Sequence, residues 1–148
     1  MIRAQSSTAI ERPVDDVFDF VVVRFFDNYP RWSPEVVELE PLDSGPLGVG
    51  SRGRQIRIDQ GRRSETTFRV TRLEPQRRVE FDGERDARFA IRYHFDPEGD
   101  ARSRIHFEFE LKRVEFFMRP FEKLIRLAIK DGAERTVRNI KGLVERER

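Results

Sequence analysis

After residue 36 the chain alternates between apolar and polar positions with a period of two. In residues 89–95 every second side chain is large and apolar, and most of those between are smaller or polar. Such alternation is typical of antiparallel strands that bury one face. It recurs along the chain and, more loosely, at its start. The pattern predicts seven strands, over residues 2–10, 37–40, 51–60, 63–73, 79–82, 89–95 and 105–111.

Two short helices are predicted between the first and second strands. Pro13, followed by two aspartates, marks a helix start, because proline and acidic residues favour the first turn. A second helix is expected over residues 24–29. Pro30 and Pro34 should then stop helix formation, because each disfavours the helical conformation of the residue before it. Trp32 is therefore expected in a loop.

Apolar positions near the C-terminus have helical spacing and predict one long helix over about residues 115–146. Pro120 either starts this helix after a short turn or kinks it. The apolar stripe is formed by Phe117, Phe121, Leu124, Ile125, Ala128, Ile129, Ala133, Val137, Ile140 and Val144.

This element order predicts one α+β domain over residues 1–148, and the composition adds one unusual feature. Of the 148 residues 38% are charged, yet 13 are Phe. The alternation assigns many of these rings to one inner sheet face, where they either pack a core or surround a bound apolar molecule. Because there is no Cys, disulfides are excluded. The sequence shows no recognisable secretory signal or membrane span. A cytoplasmic location is expected.

Candidate chemistry beyond the aromatic residues is sparse. His94 and His106 fall on the polar side of their strands, so neither a metal site nor a histidine-based catalytic relay is expected. Arg52 and Arg54 share strand parity with Ile56, which predicts that they point inward. A buried Arg must be paired or bind an anion, whereas the alternative is that both arginines reach solvent.

Charge is concentrated at the C-terminal end. Residues 112–148 contain 11 basic and 6 acidic side chains, although the whole chain has a net charge of only +2. Arg119, Lys123, Arg126 and Lys130 form a basic line that could meet anionic lipid or nucleic acid. A solvated helix face is the favoured interpretation, and no motif suggests nucleic acid as a partner.

Several local motifs occur in the order found in a known superfamily. The chain resembles the START-like or SRPBCC group, also called polyketide cyclase/dehydrase-like. The resemblance rests on the segments at residues 10–18, 29–36, 48–51, 70–75 and 139–145. It implies a helix-grip fold, in which a seven-stranded curved antiparallel sheet surrounds a long C-terminal helix and two short helices follow the first strand.

The resemblance also implies an apolar cavity between sheet and helix, which the aromatic rings either leave open or fill. The first hypothesis is binding or transport of a hydrophobic small molecule such as a lipid, polyketide or isoprenoid, by a monomer or homodimer without a cofactor or metal. Expected ligand-binding residues are Trp32, Arg54, Ile56, Thr66, Phe68, Phe81, Phe89, Tyr93, Phe107, Phe109, Phe117, Phe121 and Ile125.

Two alternatives remain open. The chain could be a cyclase or dehydratase, in which Arg54 or Tyr93 stabilises an enolate. It could also be a membrane or partner module similar to the coenzyme Q-binding proteins. Residues 29–32 distantly resemble the Tyr-Pro-x-aromatic segment of those proteins. Catalysis and peripheral membrane contact are both ranked below simple ligand binding.

Overall fold

The computed structural model describes residues 1–85 and 88–147. Strand β1 is followed by a nearly continuous helical segment, then by six strands, a 3-10 turn and a long helix. The strands are β1 Ile2–Ile10, β2 Val36–Pro41, β3 Arg52–Asp59, β4 Arg62–Glu74, β5 Arg78–Gly83, β6 Phe89–Pro97 and β7 Ser103–Leu111. The helices are α1 Val14–Phe18, a π-helical turn Asp19–Val23, α2 Phe25–Trp32, a 3-10 turn Phe116–Phe121 and α3 Glu122–Arg146.

All seven strands belong to one antiparallel sheet. Their spatial order is β1-β7-β6-β5-β4-β3-β2, so every pair except β1 with β7 joins strands that are consecutive in sequence. The register shifts once in β2, between Val36 and Glu38, and once in β4, between Val70 and Arg72. Irregularities of this kind bend a strand and increase its twist, which helps the sheet to curve.

The two faces of the sheet differ as the alternation predicts. Phe81, Tyr93 and Phe107 are buried on the inner face, which forms most of the core with α1, α2 and part of α3. The outer face is charged. Arg92 there lies within 3.6 Å of the carboxylates of Glu80, Glu108 and Glu110.

The helical segment after β1 differs from the prediction at its end. Helix α2 does not stop before Pro30 but continues to Trp32. Pro30 lies in the last turn, where the backbone N–H of Ser33 still donates to the Tyr29 carbonyl at 3.0 Å. The expectation that Trp32 lies in a loop is therefore wrong, since it is the last residue of α2 and is almost fully buried.

Helix α3 packs on β1 and the adjoining β7 through its C-terminal half. Ala133, Val137, Ile140 and Val144 are its buried residues. The last turns are also tied down by polar contacts. Lys141 Nζ donates to the Ala9 carbonyl at 3.0 Å, and the Glu11 N–H donates to the Glu145 carboxylate at 2.8 Å.

The first turns of α3 and the 3-10 turn before it leave most of their large apolar side chains exposed. Phe117 and Phe121 are exposed, and Ile125 is only half-buried. The prediction that these three side chains face the inner sheet surface is wrong. Phe117 and Phe121 belong to the 3-10 turn before α3. At 3.6 residues per turn, Ile125 points roughly 90° away from the buried residues of α3, so the helix does not bury it together with them.

The architecture is α+β with the predicted helix-grip arrangement: seven antiparallel strands, two short helices after the first strand and a long C-terminal helix. Within residues 1–85 and 88–147, no helix is both long and apolar enough to cross a membrane.

Candidate functional site

An aromatic cluster lies where α2 meets the inner face of the sheet. Phe25 is central to it, because its ring stacks on Tyr29 and on Phe81 with 4.8 Å between centroids in both cases. Phe68 packs edge-on against Phe25 at 6.0 Å. We call this region the aromatic groove, and it is lined by Phe25, Tyr29, Gln55, Phe68, Phe81, Phe89, Ile91 and Tyr93.

Helical and strand spacing together place these rings. Phe25, Tyr29 and Trp32 stand at positions i, i+4 and i+7 of α2, so they share one helix face. Phe81 and Tyr93 come from β5 and β6 and meet edge to face at 6.4 Å. The groove is thus formed by one helix face laid across several strands.

The groove is closed by its own side chains. The free space among the lining residues is about 10 Å³, close to the volume that a single water needs. One end is less tightly covered. Phe89 and Phe109 stack there with centroids 6.2 Å apart, and both are half-buried, as is Ile91. The rings at this end are thus the least buried of the groove.

Gly53 allows the close packing at the β3 side of the groove. A Cβ atom at this position would lie 2.4 Å from Cζ of Phe68 and 3.0 Å from Cε1 of Phe26. Both distances are too short for a side chain without movement of the rings. The absence of a side chain at residue 53 therefore lets the ring of Phe68 come close to β3.

Gln55 is the main polar residue inside the groove. Its side-chain amide donates to Thr66 Oγ1 at 3.2 Å, as expected from the pairing of these residues across β3 and β4. Its carbonyl oxygen Oε1 is buried and has no hydrogen-bond partner among the residues that the structure describes. The groove thus offers one buried acceptor, which a bound molecule could satisfy.

Tyr93 and Trp32 form a second polar contact next to the rings. The indole N–H of Trp32 donates to the Tyr93 hydroxyl at 3.3 Å. Burial strongly raises the pKa of Tyr93, because the phenolate would lose its hydration. Tyr93 therefore stays neutral and keeps an O–H that can donate a hydrogen bond.

Tyr29 connects the groove to a charged group at its rim. Arg57 donates to the Tyr29 hydroxyl and to Ser33 Oγ, both at 3.2 Å. Burial raises the pKa of Tyr29 in spite of the nearby guanidinium. The arginine that touches the groove is thus Arg57, not either of the two that the sequence suggested.

The predicted orientation of β3 is wrong. Arg54 lies on the outer face, where its guanidinium bonds Glu40, Glu38 and Glu65 at 3.0, 3.1 and 3.2 Å. Ile56 is buried but shares that face, outside the aromatic core. The two isoleucines of β3 suggested an inward face, but the inner positions are Gly53, Gln55 and Arg57. At Gly53 the ring of Phe68 leaves no room for a side chain.

The remaining predicted positions lie on the inner face. Thr66 touches Gln55, and Phe68, Phe81, Tyr93 and Phe107 are buried, while Phe89 and Phe109 are half-buried beside them. The predicted set lacks the groove residues Phe25, Tyr29, Gln55 and Ile91, and it lacks Gly53. The helical spacing of Phe25 and Tyr29 relative to Trp32 indicates that the three share one helix face. Gln55 and Gly53 could not be found in this way, because the predicted orientation of β3 was reversed.

The histidines lie on the outer face, as predicted. His94 and His106 are cross-strand neighbours on β6 and β7, and His106 Nε2 lies 3.0 Å from an Asp96 oxygen. They border an outer hollow of about 450 Å³, which charged residues such as Arg78 and Glu80 also line. Over residues 1–85 and 88–147, no group of three or more metal-type ligands converges.

The element order and the sheet topology, together with a family match over residues 1–145, give the chain the helix-grip fold of the SRPBCC superfamily. TTHA0849 from Thermus thermophilus superimposes with a TM-score of 0.76 and 17% identity, over 96% of each chain. The Zhui aromatase/cyclase from a Streptomyces species superimposes with a TM-score of 0.78 and 13% sequence identity, over 97% of this chain and 93% of that one. Norcoclaurine synthase from Thalictrum flavum superimposes with a TM-score of 0.72 and 15% sequence identity, over 96% of this chain and 92% of that one.

The sequence itself gives the family. Residues 1–145 match the family described as polyketide cyclase / dehydrase and lipid transport, and the chain belongs to it. No curated protein sequence matches the chain. At sequence identities of 13–17%, the solved structures support the fold and do not identify a ligand.

Proposed function

We propose that the protein binds a planar, mostly apolar small molecule that carries a hydroxyl group, in the aromatic groove. The observation that carries this proposal is the unpaired carbonyl of Gln55, buried in a wall of aromatic rings. Sites for small molecules are typically apolar, with a few polar groups that fix the orientation of the ligand.

The apolar wall supplies affinity. Removing apolar surface from water contributes about 25 cal/mol per Å², before the cost of association is subtracted. Because the groove holds only about 10 Å³ of free space, the ligand must separate rings as it enters. Phe89 and Ile91 are the lining residues best able to move, since both are half-buried.

The Gln55 carbonyl supplies selectivity. A buried acceptor without a partner costs about 1–3 kcal/mol, and a ligand hydroxyl that donates to it removes that cost. A ligand of the same shape without a donor leaves it in place. The groove should therefore prefer an aromatic alcohol or enol to its methyl ether.

A pair of matched probes tests this preference. We expect 1-naphthol to bind more tightly than 1-methoxynaphthalene, measured by isothermal titration calorimetry. Trp32 is the only Trp and donates to Tyr93 beside the groove. Its single indole N–H signal in NMR spectra should therefore shift when either probe binds.

The variant Gln55→Leu removes the acceptor and keeps the apolar wall. We expect it to lower 1-naphthol affinity about three- to tenfold, the value of one hydrogen bond, and to leave the methyl ether unaffected. Gln5→Leu, an exposed position of β1, is the matched control. Absence of an indole shift with both probes would refute binding in the groove, and equal affinities would refute the role of Gln55.

A second candidate function is cyclisation or dehydration of a polyketide-like substrate in the same groove. It is supported by the family description and by the neutral Tyr93 hydroxyl, which can donate to a developing enolate. Under this alternative, Tyr93→Phe would bind 1-naphthol normally but lose turnover of a poly-β-ketone thioester, followed by the absorbance of the aromatic product. Unchanged turnover would exclude Tyr93 as the catalytic group.

A further inference from the structure

The beginning of the C-terminal helix and the turn before it expose an unusual amount of apolar surface. The exposed fractions are 80% for Phe116, 68% for Phe117, 51% for Phe121, 65% for Leu124 and 63% for Leu127. Single exposed apolar residues are normal, but contiguous clusters of this kind mark interaction sites. We call residues 113–130 the docking segment.

The docking segment cannot bury this surface by folding onto its own protein as a rigid helix. Leu124 and Leu127 lie on the same helix as Val137 and Ile140, which face the core. At 100° per residue, the two leucines point roughly 140° away from the core-facing direction. Any surface that covers them must therefore be one other than the sheet surface that holds the C-terminal half of α3.

The charges around the apolar residues indicate the chemistry of that partner. The docking segment contains five basic residues, Arg113, Arg119, Lys123, Arg126 and Lys130, and two acidic ones. Arg126 pairs with Glu122 at 3.6 Å. Within the part of the chain that the structure describes, Arg119, Lys123 and Lys130 are exposed and form no ion pair.

Arg119 also shows how such a surface would be organised. Its guanidinium lies over the ring of Phe116, 5.6 Å from the centroid. A cation next to an exposed aromatic ring suits a boundary between charged and apolar layers, where the ring enters the apolar layer and the guanidinium stays among anions.

We propose that the docking segment binds the surface of an anionic lipid bilayer. The phenylalanines and leucines enter the boundary between headgroups and acyl chains, and the free basic side chains meet lipid phosphates. The proposal concerns a surface apart from the aromatic groove and does not depend on what the groove binds.

The acidic residues that follow limit how the helix lies on the bilayer. Asp131, which pairs with Arg135 at 3.0 Å, and Glu134 come next on the side of the leucines. A carboxylate beside lipid phosphates is unfavourable. The helix should therefore enter the surface at its N-terminal end and leave it by residue 131.

Flotation with lipid vesicles tests the proposal. We expect the full chain to float with vesicles that contain phosphatidylglycerol and to remain unbound with pure phosphatidylcholine. Leu124→Ser combined with Leu127→Ser should lower the partition coefficient by more than about tenfold, because two exposed leucines are lost from the apolar layer. Lys123→Glu should lower it by about tenfold, and added salt should weaken binding further.

Matched controls separate docking from general effects of substitution. Val37 and Val49 are exposed apolar residues outside the docking segment, with exposed fractions of 56% and 68%. The double variant Val37→Ser with Val49→Ser, and the charge reversal Arg62→Glu, should float like the wild type. Circular dichroism should show that all variants are folded.

Three outcomes would overturn the proposal. One is equal flotation with neutral and anionic vesicles, and another is unchanged flotation of the Leu124→Ser, Leu127→Ser variant. The third is a dimer in sedimentation velocity without lipid that this variant abolishes, because the leucines would then be covered by a second copy of the chain.

Discussion

The two halves of helix α3 have a similar mixture of apolar and basic residues but opposite surroundings. In the C-terminal half Ile140 is completely buried against the sheet, whereas in the N-terminal half Leu124 and Leu127 are more than half exposed. Both halves carry apolar residues at helical spacing and several basic residues. The difference lies in direction: only the C-terminal apolar residues point toward the sheet.

This contrast shows that an apolar stripe identifies a surface that needs a partner without identifying the partner. The C-terminal stripe is covered by β1, β7 and α2. The N-terminal stripe is rotated away from the core by part of a turn, and its neighbours are exposed cations. One helix can therefore hold the fold together at one end and offer a docking surface at the other.

The largest expected effect is on stability, through truncation in each half. Ile140→Ala should lower the free energy of unfolding by about 2–5 kcal/mol, because it leaves a cavity in the core. Leu124→Ala should change it by less than about 0.5 kcal/mol. Urea denaturation of both variants measures the difference. Similar losses would show that the N-terminal half is packed as tightly as the C-terminal half.

A smaller effect is expected where α3 touches α2. Asn139 Nδ2 donates to the Trp32 carbonyl at 3.1 Å. Asn139→Ala should cost about 1 kcal/mol and shift the Trp32 indole signal in NMR spectra, because this bond holds the end of α2. Arg138→Ala, at an exposed neighbouring position, is the control. If the two variants behave alike, the bond contributes nothing specific.

The smallest effect concerns acid stability at the end of the helix. Partial burial opposes ionisation of Glu145, but hydrogen bonds from the Glu11 N–H and Lys141 outweigh it and lower the pKa of Glu145. A lowered pKa in the folded state contributes stability that is complete above the ordinary pKa of 4.5 and is lost as pH falls through the lowered value.

Thermal unfolding between neutral pH and pH 3 measures this contribution. Glu145→Gln should destabilise the protein at neutral pH and make the loss on acidification shallower. The control is Glu122→Gln, in the N-terminal half, where Glu122 contacts the exposed Arg126 at 3.6 Å. A wild-type acid profile for Glu145→Gln would show that this contact does not stabilise the helix end.

The sequence pattern predicted the order and type of the elements because periodicity reports directly on burial of one face. Phe81, Tyr93 and Phe107 were correctly assigned to the inner face on this basis. Strand β3 was not, because its only large aliphatic residues, Ile56 and Ile58, lie on the outer side of the sheet. The inner side needs Gly53, since Phe68 occupies the space of a side chain.

The N-terminal half of α3 was misassigned for a different reason. The spacing of its apolar residues predicts one face that is continuous with the core stripe. A count of 100° per residue separates the two, so the rotation was present in the sequence. The sequence pattern does not tell what covers Leu124 and Leu127, because the alternation of apolar and polar residues carries no information about partners outside the chain.

Hydrogen exchange measured by mass spectrometry tests the contrast between the two halves most directly. We predict slow exchange in residues 133–144 under all conditions, and fast exchange in residues 116–130 that slows when vesicles containing phosphatidylglycerol are added. Equally slow exchange in both halves without lipid would contradict the account, and so would fast exchange of residues 116–130 that the vesicles leave unchanged.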